Sequence, residues 1–233
     1  MQPRPCSFFA SVIAIILVGF LECSGHAQGY EEVFDFGLAR TNSLVNRGES
    51  PESNLLLAAD GYFYGTTRHG GLYSRGTVFR MSATGETTTL VEFSGAGATN
   101  KGSYPTALVA GNDGDFYGTT YAGGVSDLGT VFRVNTAGQL TTLVEFTGNG
   151  ASNKGSSPEA GLVRDASGSF YGTTGSGGTG DFGTVFKMTP AGVLTTLVNF
   201  SNNGASNKGN YPAAALLQAA DGTQQACAAR ILV

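Results

Sequence analysis

The chain of 233 residues contains no tryptophan, two histidines and only 13% charged residues. Its three cysteines are Cys6, Cys23 and Cys227. Long apolar runs are equally scarce. The single one, Phe8 to Leu21, spans about 14 residues where a membrane helix needs roughly 20. Arg4 precedes it and Gly25-His26-Ala27 ends the segment. A positive start, a short apolar run and small residues where signal peptidase reads describe a signal peptide, residues 1–27, cut after Ala27. Acylation of Cys23 is disfavoured by Glu22 beside it, where a small residue is expected.

Each scarcity excludes something. Without the leader, Cys227 is the sole cysteine and no intramolecular disulfide can form. His69 is then the sole histidine, so no His- or Cys-rich zinc site can assemble. Loss of Arg4 and Glu22 leaves 12 of 13 basic and 16 of 17 acidic residues. That mildly acidic, thinly charged surface lacks the clustered Lys and Arg that phosphates demand, which excludes nucleic acid as a partner. No second apolar run follows, so the mature chain is expected to be soluble, without a membrane span, and secreted, extracellular or at the cell surface.

Glycine is what the chain has in excess, 36 residues, and it is placed periodically. A block of about 53 residues recurs three times. It reads FYGTT, a Gly-rich stretch, GTVF(R/K), a Gly turn, TTLV(E/N)F, then a loop ending NKG(S/N)xP. The GTT glycines are Gly65, Gly118 and Gly172, and GTVF begins at Gly76, Gly129 and Gly183. A fixed period of this length means one supersecondary unit stacked on its copies, since such a unit cannot bury its apolar face alone.

Within one unit the pattern is of strands and turns. Ala107 to Ala110 is a short apolar run and Asn112-Asp113-Gly114 a turn. Phe116 to Thr120 and Gly129 to Val134 are aromatic and β-branched. Leu140 to Phe146 alternates apolar and polar residues. Four antiparallel strands per repeat, without helices, predict an all-β fold, a β-propeller-like array of four-stranded blades. A parallel β-helix is the alternative, but its coils are usually shorter and lack hairpin turns.

The pattern YGTT, GG, GTVF(R/K), G, LTTLV(E/N)F, then Pro, (A/G)LV and DG resembles the GloVer tandem repeat of secreted bacterial proteins with varied C-terminal anchors. The resemblance covers about residues 30–222. It implies an exported, propeller-like protein, and it carries no established activity and no catalytic residues. The order of turns is also similar to NHL-type propellers, which implies the (A/G)LV strand innermost and the LV(E/N)F strand outermost.

On that assignment, residues 28–222 form the repeat domain. An outer strand lies at 31–36, full blades at about 55–93, 107–146 and 160–200, and an inner strand at 213–220. Residues 223–233 match nothing earlier and form an aberrant tail. This reads as a loss of register such as a truncated gene produces, giving an incomplete propeller whose open edges favour self-association. A divergent cap is the other explanation.

No cofactor is implied. Gly175, Gly177 and Gly180 satisfy G-x-G-x-x-G, but a strand follows where pyrophosphate binding needs a helix. Asp113 and Asp115 carry calcium-type oxygens, yet the other copies do not repeat the pair, which favours a turn. Asn-Lys-Gly recurs at Asn100, Asn153 and Asn207 and puts Lys101, Lys154 and Lys208 on one rim. Those ammonium groups are speculative ligand contacts for an anionic polymer, against a plain reading of turn plus solvated lysine. Tyr73, Tyr104, Tyr121 and Tyr211 are candidate contact aromatics, and His69 and Arg68 occur in one copy only. The inner strands hold only Arg164 and Asp165 as charged residues, whereas catalysis needs titratable groups facing each other in the channel. The expected function is therefore a non-catalytic binding or interaction module for a glycan or a surface protein, not an enzyme. A polysaccharide hydrolase or lyase is the alternative.

Overall fold

The computed structural model describes residues 48–218 and 224–226. The signal peptide and the outer strand expected at 31–36 lie outside them. Among the described residues there is no helix. The first blade comprises β1 (Leu56–Leu57), β2 (Phe63–Thr67), β3 (Thr77–Met81) and β4 (Thr87–Glu92). The second comprises β5 (Ser103–Ala110), β6 (Phe116–Ala122), β7 (Thr130–Val134) and β8 (Leu140–Glu145). The third comprises β9 (Val163–Arg164), β10 (Phe170–Thr174), β11 (Thr184–Met188) and β12 (Leu194–Asn199). Each is an antiparallel meander whose sheet order follows chain order.

Registers repeat from blade to blade. Leu56 faces Tyr64, Val109 faces Tyr117 and Val163 faces Tyr171. The third and fourth strands slip at the same place each time, between Val78 and Phe79, Val131 and Phe132, and Val185 and Phe186. An irregularity there raises the local twist that blades require. The sequence offers no strand match after Asp221-Gly222, yet a fourth sheet continues the series. In it β13 (Leu216–Gln218) pairs with β14 (Gln224–Ala226), and Leu217 faces Gln225. Gln225 thus stands where Tyr64, Tyr117 and Tyr171 stand. Backbone pairing thus survives without the FYGTT motif.

The FYGTT and GTVF motifs are halves of one packing unit. A Cβ added to Gly118 would lie 2.6 Å from Phe132 Cζ, so the phenyl ring crosses its neighbour strand where a side chain is missing. The apolar core lies between blades. One cluster joins Tyr64, Val91 and Phe93 of the first blade to Phe116 and Phe132 of the second, and the other joins Tyr117, Val144 and Phe146 to Phe170 and Phe186. Tyr64 packs on Phe116 at 4.4 Å and Tyr117 on Phe170 at 4.1 Å between ring centroids. Hydroxyls lock the same junctions. Thr66 donates to the Thr106 carbonyl at 2.6 Å, Thr119 to Ala160 at 3.2 Å and Thr173 to Ala214 at 3.3 Å. The first strands lie beside one another in succession, β1 by β5, β5 by β9 and β9 by β13. Antiparallel blades set side by side with their first strands innermost make the array β-propeller-like, and the parallel coil is excluded.

Candidate functional site

A proline accompanies each innermost strand: Pro51, Pro158 and Pro212 precede it, and Pro105 lies near the start of β5. The residue before the proline holds a left-handed backbone every time, with φ of 59° at Ser50, 59° at Tyr104, 53° at Ser157 and 53° at Tyr211. That turn swings the chain toward the axis. The residue after proline is Glu52 in the first copy, Thr106 in the second, Glu159 in the third and Ala213 in the fourth. The second copy is one residue shorter here, which brings the Thr106 hydroxyl level with Ser53 and Ala160.

The four segments meet at a cavity of about 290 Å³. Its polar lining is Glu52, Ser53, Thr66, Arg68, Thr106 and Glu159, and the rest is proline, alanine and glycine. Arg68 Nη1 stands 3.6 Å from Glu52 Oε2, and its guanidinium lies 5.6 Å from the Tyr121 ring centroid. Glu159, half-buried, forms no hydrogen bond or ion pair with any described residue. The hydroxyls are already engaged: Ser53 and Thr66 oxygens are 2.9 Å apart, and those of Thr106 and Thr119 are 2.7 Å apart. The cavity therefore presents mainly acceptor oxygens.

Residues that recur in every copy are used structurally. The buried phenol of Tyr117 donates to Asp113 at 2.8 Å, and that of Tyr64 to Asp60 at 2.7 Å. Burial first, and the carboxylate second, push both phenols up to about 12. The hydrogen bond from Tyr64 holds the Asp60 carboxyl below its usual range. Burial pulls Asp113 upward, but bonds from Tyr117 and the Asp115 amide outweigh it and leave it lowered. In the third copy Asp165, not the aligned Ser167, takes this role and accepts from Tyr171 at 3.1 Å. Asp113 and Asp115 are further held by Arg133. They act as a turn, and no group of three or more metal-ligating side chains occurs among the described residues. Gly177 donates its amide to Asp181 at 2.7 Å and leads into strand β11, so the glycine-rich run also acts as a turn.

The three rim lysines do not share one environment. Asn100, Asn153 and Asn207 all adopt φ of 51°, so asparagine and glycine set the loop shape. Lys101 Nζ contacts Glu145 Oε1 of the next blade at 2.7 Å, and this bond holds the Glu145 carboxyl below its usual range. At the position equivalent to Glu145 the third blade has uncharged Asn199; Lys154 is half-buried and Lys208 exposed. Of the candidate aromatics, Tyr121 lies under Arg68, Tyr104 packs edge-on to His69 at 5.2 Å, and Tyr211 and Tyr73 are both 54% exposed. Tyr104 and Tyr211 directly precede Pro105 and Pro212, but neither tyrosine lines the cavity, and Tyr73 lies in the loop between β2 and β3.

Arg164 bonds Asn112 and Asp165 caps its own turn, so the charges expected on the inner strands do not define the cavity. Glu52 and Glu159 do, and sequence reasoning missed them because the inner strands begin after them. The available signal was the tripeptide Ser-Pro-Glu, present at both Ser50-Pro51-Glu52 and Ser157-Pro158-Glu159.

The model of the Gloeobacter/Verrucomicrobia repeat matches residues 29–228, and the chain belongs to that family. No curated protein matches it. Two solved structures resemble it in fold. A virginiamycin B lyase from Staphylococcus aureus is 13% identical with a TM-score of 0.45, over 73% of this chain and 46% of that one. A streptogramin B lyase is 13% identical with a TM-score of 0.47, over 79% of this chain and 50% of that one. The chain thus spans about half the length of these structures.

Proposed function

We propose that this Gloeobacter/Verrucomicrobia repeat protein is an exported, non-catalytic binding module whose ligand, a glycan, enters the cavity where its four innermost segments meet. One observation carries the proposal. The repeated aromatic, threonine and glycine residues are consumed by packing and turns, whereas Glu52, Arg68, Thr106 and Glu159, none of them common to all copies, converge on a single cavity. Packing between identical blades gives no reason for that convergence, but a ligand does.

Binding rather than catalysis is supported by what surrounds the two carboxylates. Glu52 is engaged by Arg68, and beside Glu159 the lining offers only hydroxyls whose protons are committed to protein oxygens. Acid–base hydrolysis needs a second free proton carrier. Export rests on the leader at 1–27, and a mature chain beginning at Gln28 on N-terminal sequencing is the expected product.

The test is calorimetric titration of the purified protein with a panel of oligosaccharides, set beside Glu159→Gln and Arg68→Ala. Saturable binding lost in both variants is expected. Binding kept by both but lost when Lys101, Lys154 and Lys208 are changed together would move the site to the rim. Turnover of any oligosaccharide, abolished by Glu159→Gln, would make the protein an enzyme and overturn the proposal.

A further inference from the structure

From the charges and donors in the cavity we infer that its ligand is a sugar residue bearing a free amine, bound as the ammonium, at the end of a glycan chain. The inference rests on the binding function proposed above and adds the chemical class. Among the lining residues Glu52 and Glu159 carry two negative charges and Arg68 one positive charge, so the net charge is −1. Arg68 is already opposed by Glu52 at 3.6 Å. Glu159 is the charge left over, half-buried and without a hydrogen-bond or ion-pair partner among the described residues. Withdrawing a carboxylate from water is unfavourable unless a cation or donors replace the lost hydration. Thr66 spends its proton on the Thr106 carbonyl, and the Thr106 hydroxyl is tied to Thr119. A ligand that brings donors and positive charge fits this lining. An acidic sugar does not.

The size of the cavity points the same way. About 290 Å³ is at the small end of ligand cavities, which suits one sugar ring entering end-on.

The experiment compares glucosamine tetramer, N-acetylglucosamine tetramer and glucose tetramer by calorimetry on the full protein. The free-amine tetramer is expected to bind at least tenfold more tightly than the other two and to weaken with added salt. Glu159→Gln should remove most of that preference with an unchanged melting temperature. Equal affinity for all three tetramers, or a preference that survives Glu159→Gln, would overturn the inference and leave the binding proposal standing. Failure of every oligosaccharide to bind would overturn both.

Discussion

Between the first and second blades Tyr64 packs on Phe116 and Phe93 meets Phe132. Between the second and third, Tyr117 packs on Phe170 and Phe146 meets Phe186, with the same residue types in the same order. Around the cavity no residue type runs through every copy in this way, for the position after proline is Glu, Thr, Glu and Ala in turn. The contrast separates two demands on a tandem array. Its junctions must fit one another, so any change in one copy is felt by the next. Its axis has no neighbour to fit, and side chains there are free to serve something else. Substitutions at the junctions should therefore cost stability and those at the cavity should not.

The largest effect is expected at Phe132, which is fully buried and joins Gly118 of its own blade to Phe93 of the preceding one. Phe132→Ala should destabilise by about 3–5 kcal/mol, measured by urea unfolding. The comparison sharpens at Phe200, the counterpart of Phe93 and Phe146 on the far side of the third blade. Phe93 and Phe146 are 0% and 1% exposed, whereas Phe200 is half-buried and Leu197 beside it is 50% exposed. Phe200→Ala should therefore cost visibly less than Phe146→Ala. Equal losses would mean that burial between blades is not what holds the array.

The junctions were legible in the sequence and the cavity was not, for the same physical reason. Repetition marks what every copy needs, so the strand order and the pairing of FYGTT with GTVF could be read from spacing. Even so, the Asp165 substitution escaped alignment, because a side chain reaching Tyr171 from two residues earlier keeps the hydrogen bond while losing the register. The β14 strand escaped it too, since backbone pairing can persist where no side-chain motif remains. At the cavity Glu52 and Arg68 come from the first copy and Glu159 from the third, and because Thr106 and Ala213 follow proline in the second and fourth copies, the Ser-Pro-Glu pair does not stand out as part of the repeat.

An intermediate effect is expected from the buried phenols. The folded pKa of Tyr64 and Tyr117, about 12, lies above the ordinary phenol value near 10. A raised folded value contributes stability that is complete below about pH 10 and is lost as pH rises from there through about 12. Chemical denaturation across that window should show a steep decline. Tyr117→Phe should cost about 1 kcal/mol at neutral pH, where its bond to Asp113 is lost, and should flatten the alkaline decline. A decline of the same steepness in the variant would show that Tyr117 is not among its causes.

A smaller loss belongs to Lys101 and Glu145, a pair with side chains 26% and 29% exposed. Glu145→Gln should cost about 1 kcal/mol or less, since the pair is partly screened by solvent. Its sign with pH is opposite to that of the phenols. The lowered carboxyls of Asp60, Asp113, Asp165 and Glu145 contribute stability present above the ordinary carboxylate range near pH 4 and lost as pH falls through their lowered values. Glu145→Gln should make the acid transition shallower without touching the alkaline one.

The smallest change in stability is expected where the functional change is greatest. Glu159 gives no hydrogen bond or ion pair to any described residue, so Glu159→Gln should shift unfolding by less than about 0.5 kcal/mol. A small gain is equally consistent, because the amide ends the charge left unopposed in the cavity, and residues kept for binding at the expense of folding behave in this way. A loss of 2 kcal/mol or more would place Glu159 with the junction residues and dissolve the contrast between the two regions.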